Sequence, residues 1–216
     1  MQSTEKGKGK YIVFEGLPKC GKSTQANLLY EKLTQKFPEK KIILTKEPGG
    51  SEIADVIRKL VQGTPFTEQM TPVCEAYLYA ASRAQTLRTV VRPVIDEGGI
   101  VLSDRSVLSS KAIQGYARGL GMEKIDSINR IALQNIYANT VYYIDTDPEI
   151  CYTRAKKEYD GSDKFEAMDL KFFKLIKDGY DSFSSVTMET IPGDLSIEAV
   201  HGLILVSVLK LLHGNY

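Results

Sequence analysis

The sequence predicts one α/β domain, a parallel sheet of about five strands with helices on both faces. Short apolar runs alternate with longer segments of helical periodicity along the 216 residues, the pattern of strands joined by crossover helices. The first run, Tyr11-Ile12-Val13-Phe14, is followed at once by Gly16-Leu17-Pro18-Lys19-Cys20-Gly21-Lys22-Ser23 and then by a helical stretch. Strand, glycine-rich loop and helix is the context that the pattern G-x-x-x-x-G-K-[ST] requires. Acidic and basic residues follow the ends of two later apolar runs, where parallel sheets of this kind bind ligands.

In order, residues 11–14 read as a buried strand and 24–36 as a helix, with Leu28, Leu29 and Leu33 at helical spacing. A second strand over 41–45 runs into Lys46-Glu47-Pro48-Gly49-Gly50, which breaks the pattern. Residues 52–62 read as a helix with Ile53, Val56, Ile57 and Leu60 on one face. Thr71-Pro72 starts a long helix, with threonine as cap and proline in the first turn. It extends to about Arg92, where Pro93 should kink or end it. Gly98-Gly99 punctuate, and 100–102 is the third strand, with Asp104-Arg105 at its carboxyl end. Helical patterns follow over 107–117 and 124–137, then a fourth strand over 140–144. Asp147-Pro148 opens another helix. Residues 156–164 turn charged and read as a loop, 169–183 as a helix, 186–191 as the fifth strand, and 197–212 as a closing helix. Residues 1–9 are polar, carry lysines and lack the apolar run of a signal peptide, so they read as a disordered tail before a domain over 10–216.

Composition narrows the function classes. A net charge of +1 gives no bulk attraction to nucleic acid or to a membrane surface. The longest apolar stretch, near Leu203 to Leu212, is broken by Ser207 and Lys210 and is too short to span a bilayer. Three scattered cysteines, Cys20, Cys74 and Cys151, make neither a disulfide framework nor a zinc site, and they fit a reducing compartment such as the cytoplasm.

The loop carries the strongest chemical signal. Glycines let successive N–H groups turn toward one oxyanion, and the helix that begins there adds its positive dipole end. In that pattern Lys22 reaches the β- and γ-phosphates and the Ser23 hydroxyl sits on Mg²⁺, with Gly16 to Thr24 as the ATP-binding stretch. The pattern arises by chance in roughly one of 100 chains of this length, and the strand and helix around it lower that further. Asp104 is a candidate second magnesium-side carboxylate, or else the cap of the helix that follows. Arg105 could clamp a phosphate, or form a surface ion pair. Glu47 lies past a strand end, as a site carboxylate or a solvated turn residue. Tyr79 and Arg83 are four apart on one helix face, suited to stacking on a planar base and donating to its O4, or to serving as a core tyrosine beside a surface arginine. Arg154, Lys156, Lys157 and Lys164 are a cationic stretch, either a solvated loop or a lid over about 154–166 that closes on ATP.

Taken together, these motifs resemble the thymidylate kinase family in its bacterial form. The resemblance runs through residues 11–24, Thr45 to Gly50, Glu75 to Gln85, and Asp104-Arg105 through Ser109-Ser110 to Gln114 and Gly119. It continues through Asp163 to Glu166 and Phe172 to Tyr180, and so spans nearly the whole chain in order. It implies a nucleoside monophosphate kinase fold with a short lid, and the transfer ATP + dTMP → ADP + dTDP with Mg²⁺, by a cytoplasmic homodimer. It implies Tyr79 against thymine, Arg83 on O4, Arg105 and Arg58 on the dTMP phosphate, and Glu47, Ser109, Ser110 and Gln114 around the substrate. Lys22, Lys19, Asp104, Arg154 and Lys164 would act on the transferred phosphoryl group, with Ser23 and Asp104 on the metal.

Some positions depart from the family. Pro18 stands where an acidic residue reads the sugar 3′-hydroxyl, and Ser106 and Ile113 stand where tyrosines are usual. Leu108 replaces a frequent aspartate, Lys164 a lid arginine, and Lys19 an arginine or glycine. Weakened or rebuilt sugar recognition is therefore expected. A deoxynucleoside kinase, another nucleoside monophosphate kinase and a nucleotide-binding protein without turnover are the alternatives. A nucleoside acceptor would need a base for its hydroxyl, for which Glu47 and Asp104 are the candidates.

Overall fold

The computed structural model describes residues 9–63, 67–158, 167–182 and 187–213. The expected tail, apart from Gly9, and Lys164 with most of the expected lid lie outside these. Five strands, β1 (Lys10–Glu15), β2 (Ile42–Lys46), β3 (Ile100–Asp104), β4 (Thr140–Asp145) and β5 (Met188–Pro192), form one parallel sheet in the order β2-β3-β1-β4-β5. The central β1 is apolar because both its faces are covered. Ile12 and Phe14 join one buried cluster, with Leu29, Leu33, Ile204 and Val208, while Tyr11 and Val13 join another, with Leu87, Val91 and Val101.

Helices α1 (Lys22–Lys36), α2 (Glu52–Gln62), α3 (Pro72–Thr86), α4 (Arg92–Asp96), α5 (Val107–Ser110), α6 (Met122–Leu133), α7 (Pro148–Glu158), α8 (Leu170–Asp181) and α9 (Ile197–His213) make the outer layers. Their starts are legible in side-chain chemistry: Ser51, Thr71 and Asp169 each accept from a backbone N–H in the first turn of α2, α3 and α8. Burying a leucine such as Leu29 or Leu33 of α1 contributes about 1.5 to 3 kcal/mol.

Four expectations change. Pro93 does not end the long helix; a π-helical turn over Leu87–Val91 precedes it, and Pro93 then lies in the first turn of α4, where its missing N–H costs nothing. The helix expected over 107–117 is α5 followed by a second π-helical turn, Lys111–Ala117. The loop expected from 156 is still α7 as far as Glu158. On α2 the residues Ile53 and Val56 face outward, and Ala54 and Val61 are the buried ones.

Candidate active site

The carboxyl ends of β1, β2 and β3 open into a cleft of about 1050 Å³, at the upper end of what ligand pockets occupy and large enough for two nucleotides. Residues 18–27 of the phosphate loop and the first turns of α1 line one end. Gly16 has φ 140°, and a Cβ there would lie 2.6 Å from the Ile144 carbonyl oxygen, so only glycine fits. Gly21, with φ 103°, caps α1 from the left-handed region. Lys22 is buried and folds back over the loop, its Nζ donating to Leu17 O at 2.6 Å and lying 3.6 Å from Cys20 Sγ.

Ser23 Oγ donates to Asp104 Oδ2, so the loop hydroxyl and the strand-end carboxylate meet as the motif requires. Asp104 Oδ1 is buried without a partner. An anionic oxygen left unpaired is what a hard cation satisfies, and the pair fits Mg²⁺ held mainly by phosphate and water oxygens. Asp104 is not the cap of α5; Ser106 is.

Arg105 sits beside this pair at φ 79°, and Lys19 in the loop is at φ 59°. A left-handed non-glycine backbone costs about 1 to 2 kcal/mol and persists where the surroundings impose it. The surroundings of Arg105 are explicit. Its NH1 donates to Gly16 O at 3.0 Å and to Ser109 Oγ at 2.9 Å. Burial alone would lower its pKa; the carboxylates of Asp104 and Glu15 oppose that, and the guanidinium stays charged. Arg58 and Lys46 line the same part of the cleft, Arg58 donating to Pro48 O at 2.9 Å.

Beneath Arg105 lies a buried hub that the sequence did not single out. Glu15, at the end of β1, accepts from Ser106 N and Oγ, each at 2.8 Å, and from Ser109 N at 3.2 Å through Oε1. Its Oε2 accepts from Ser109 Oγ at 2.6 Å and Tyr180 Oη at 2.8 Å. Burial first, and then Glu15, hold the Tyr180 phenol well above its ordinary pKa, so it is a neutral donor. The available signal was a charged residue ending an apolar strand just before the phosphate loop. Ser106, one of the departures, has a clear role: its hydroxyl bonds Glu15.

Tyr79, Ile113 and Gln114 also line the cleft, as does Ser109 beside Arg105. Arg83 and Ser110, expected beside them, are not among the lining residues. Arg83 is only 2% exposed and is engaged behind the wall. Its Nε donates to Glu47 Oε2 at 2.7 Å, NH1 to Asn129 Oδ1 at 2.5 Å, and NH2 to Ser106 O at 3.0 Å and Ser110 Oγ at 3.1 Å. Four of the five guanidinium N–H groups are thus committed, leaving one. Glu47 lines the cleft but is no solvated turn residue: it is 4% exposed, and burial raises its pKa against the pull of Arg83. Gln114, 1% exposed, donates through Nε2 to Glu75 Oε1 at 2.7 Å, and its Oε1 has no partner.

At the other side, Arg154 of α7 donates to Lys19 O at 3.3 Å, and Lys19 Nζ pairs with Glu158 at 3.2 Å, so the C-terminal part of α7 touches the phosphate loop. Gly193, Leu195, Ile197 and Val200, after β5, complete the cleft near α1, with Gln25 Nε2 donating to Ile197 O at 3.0 Å.

A phosphate loop on the central strand, a carboxylate on its serine, and one large cleft at the strand ends define a phosphate-loop kinase fold. A family model described as Thymidylate kinase matches residues 14–204. A thymidylate kinase of Caldanaerobacter subterraneus is 34% identical over 210 residues, covering 96% of this chain and 98% of that protein. One from a Thermoanaerobacter species is 40% identical over 173 residues, covering 80% and 82%. The crystal structure of thymidylate kinase from Ehrlichia chaffeensis superposes with a TM-score of 0.75 at 25% identity, covering 94% of this chain and all of that one. The chain belongs to the thymidylate kinase family and is a phosphotransferase.

Proposed function

We propose that this chain transfers the γ-phosphoryl group of ATP to dTMP, giving ADP and dTDP for dTTP synthesis. The observation that carries this is that the phosphate loop, Arg105 and Tyr79 line one and the same cleft. The acceptor phosphate has its second pKa near 6, so its attacking oxygen is anionic at about neutral pH. No general base is then needed, which suits a site where Glu47 is held by Arg83 and Asp104 by Ser23. That commitment favours a monophosphate over a nucleoside acceptor.

In this reading Arg105, with Arg58, holds the acceptor phosphate, Tyr79 stacks on the base, and Gln114 reads its edge, with Ser109 fixing Arg105. Arg83 and Ser110 shape the wall, and the one free N–H of Arg83 is what remains for O4. Lys22, Lys19, Arg154 and Lys164 neutralise charge on the donor phosphates, and the 16–24 loop cradles them through its backbone. Ser23 and Asp104 would hold Mg²⁺, which would supply charge neutralisation to the donor phosphates. Leu195, Ile197 and Val200 offer an apolar wall for adenine.

The chain works as a homodimer in the cytoplasm in this reading. Ile53 and Val56 on α2, Val73 and Tyr77 on α3, and Ile131 on α6 are exposed, and α3 packs against both other helices. Among the described residues no helix is long and apolar enough to cross a membrane. Light scattering of the purified chain checks the dimer. The activity is tested by ADP release from ATP and Mg²⁺ with dTMP, dUMP, dCMP, dGMP, UMP and thymidine. dTMP leading is the expected result; thymidine or a purine monophosphate leading would refute it.

A further inference from the structure

Glu75 touches no part of the phosphate chemistry, yet it is a charged residue 2% exposed and bonded to Gln114, which lines the cleft. Its Oε1 accepts from Gln114 Nε2 at 2.7 Å, and its Oε2 lies 3.5 Å from Arg118 NH2. Arg118 is in turn held with its guanidinium carbon 4.8 Å from the centre of the Phe172 ring. Three elements, α3, the second π-helical turn and α8, therefore meet around one carboxylate.

A side-chain amide has two faces of opposite character, and a free glutamine can present either one. A carboxylate accepts and never donates. With Glu75 at 2.7 Å, the NH₂ group of Gln114 must point at it, since the reversed amide would place oxygen against oxygen. The Gln114 carbonyl oxygen is then turned away from Glu75, on a residue that lines the cleft, and it is buried without a partner. An unpaired buried acceptor is costly to leave unsatisfied, and a ligand N–H removes that cost.

We propose that Glu75 is a positioning residue that fixes the Gln114 amide as an acceptor, so that the site takes a pyrimidine with a ring N–H between two carbonyls and rejects cytosine. This rests on the dTMP kinase reading above. Thymine and uracil carry that N–H; cytosine has a bare nitrogen there, which would face the carbonyl oxygen lone pair to lone pair. Sites built to bond a particular group reject analogues lacking it far more strongly than apolar pockets reject a missing methyl.

The test is the ratio of kcat/KM for dTMP over dCMP in the wild type, Glu75→Gln, Gln114→Leu and the double variant, with thermal melts to confirm folding. Glu75→Gln keeps the shape but lets the Gln114 amide turn over. The ratio is expected to fall at least about tenfold, mainly through KM. In the Gln114→Leu background the same change should leave the ratio where it is, because Glu75 acts through Gln114. A purely structural Glu75 would lower turnover of both substrates together and leave the ratio intact, and that result overturns the inference, as does an equal drop in the Gln114→Leu background. If Glu75→Gln does not fold, Glu75→Asp, which keeps the charge but draws the carboxylate back from the Gln114 amide, should lower the ratio by about threefold, and an unchanged ratio would overturn the idea. A wild type that turns over dTMP but shows the same ratio after Glu75→Gln refutes this inference alone. A wild type without preference for dTMP over dCMP refutes the functional reading with it.

Discussion

The two ends of the cleft are built on different principles. At the phosphate end one short run of sequence supplies the loop, joined by Asp104 and Arg105 at the end of β3, and much of the recognition belongs to backbone held by Gly16 and Gly21. Its side chains line the cleft: Lys22 is folded over the loop, and Asp104 keeps one oxygen without a partner. At the base end the groups come from the residue after β2, from α3, α5, the second π-helical turn and α6, and most of their bonding capacity is already used inside the protein. Arg83 links Glu47, Asn129, Ser106 and Ser110 in a single buried network. A mostly contiguous, cleft-lining end can lose function without losing the fold. A dispersed and internally bonded end ties substrate choice to stability.

That contrast can be broken or sharpened by substitution, and the largest effect belongs to the phosphate end. Lys22→Ala should reduce turnover by at least about 1000-fold while the melting temperature moves only a few degrees; activity assays beside calorimetry check it, and retained activity would remove Lys22 from the chemistry. Next comes the base end. Glu47→Ala leaves the buried Arg83 without its carboxylate, and urea unfolding should report a loss of about 3 to 5 kcal/mol. Glu15→Gln is expected to raise KM for dTMP roughly tenfold with KM for ATP unchanged, because the hub orders Ser109 and through it Arg105; equal changes in both constants would mean the hub serves the whole domain. The smallest effect is at the sugar. With Pro18 in place of an acidic residue, dTMP should be preferred over its 3′-deoxy analogue by less than about tenfold, and strong discrimination would show that another group reads the 3′-hydroxyl.

The same contrast explains what could be read from the sequence. Gly16 to Ser23, the ends of β1 and β3, and the alternation of strands and helices are local patterns, and they lie where expected. Tyr79 and Arg83 were correctly placed on one helix face, but one turn of rise separates them by about 6 Å along the axis. That is enough to leave the first in the cleft and the second behind its wall, and periodicity carries no information on depth. The π-helical turns at Leu87–Val91 and Lys111–Ala117 each rest on an added residue per turn rather than on any propensity, so the kink or end expected at Pro93 did not foresee the first of them. Ile53 and Val56 form an apolar stripe that predicts cover without saying by what. Glu15 and Glu75 were missed because a charged residue in a strand or helix gives no sign of burial until its donors from distant segments are seen.

The division between the two ends is tested most directly by titrating dTMP and dCMP calorimetrically into Lys22→Ala. If chemistry and selection are separate, the inactive variant binds dTMP within about threefold of the wild type and keeps its preference over dCMP. Loss of that preference together with turnover would show that the phosphate loop and the base wall act as one unit, and would contradict this account.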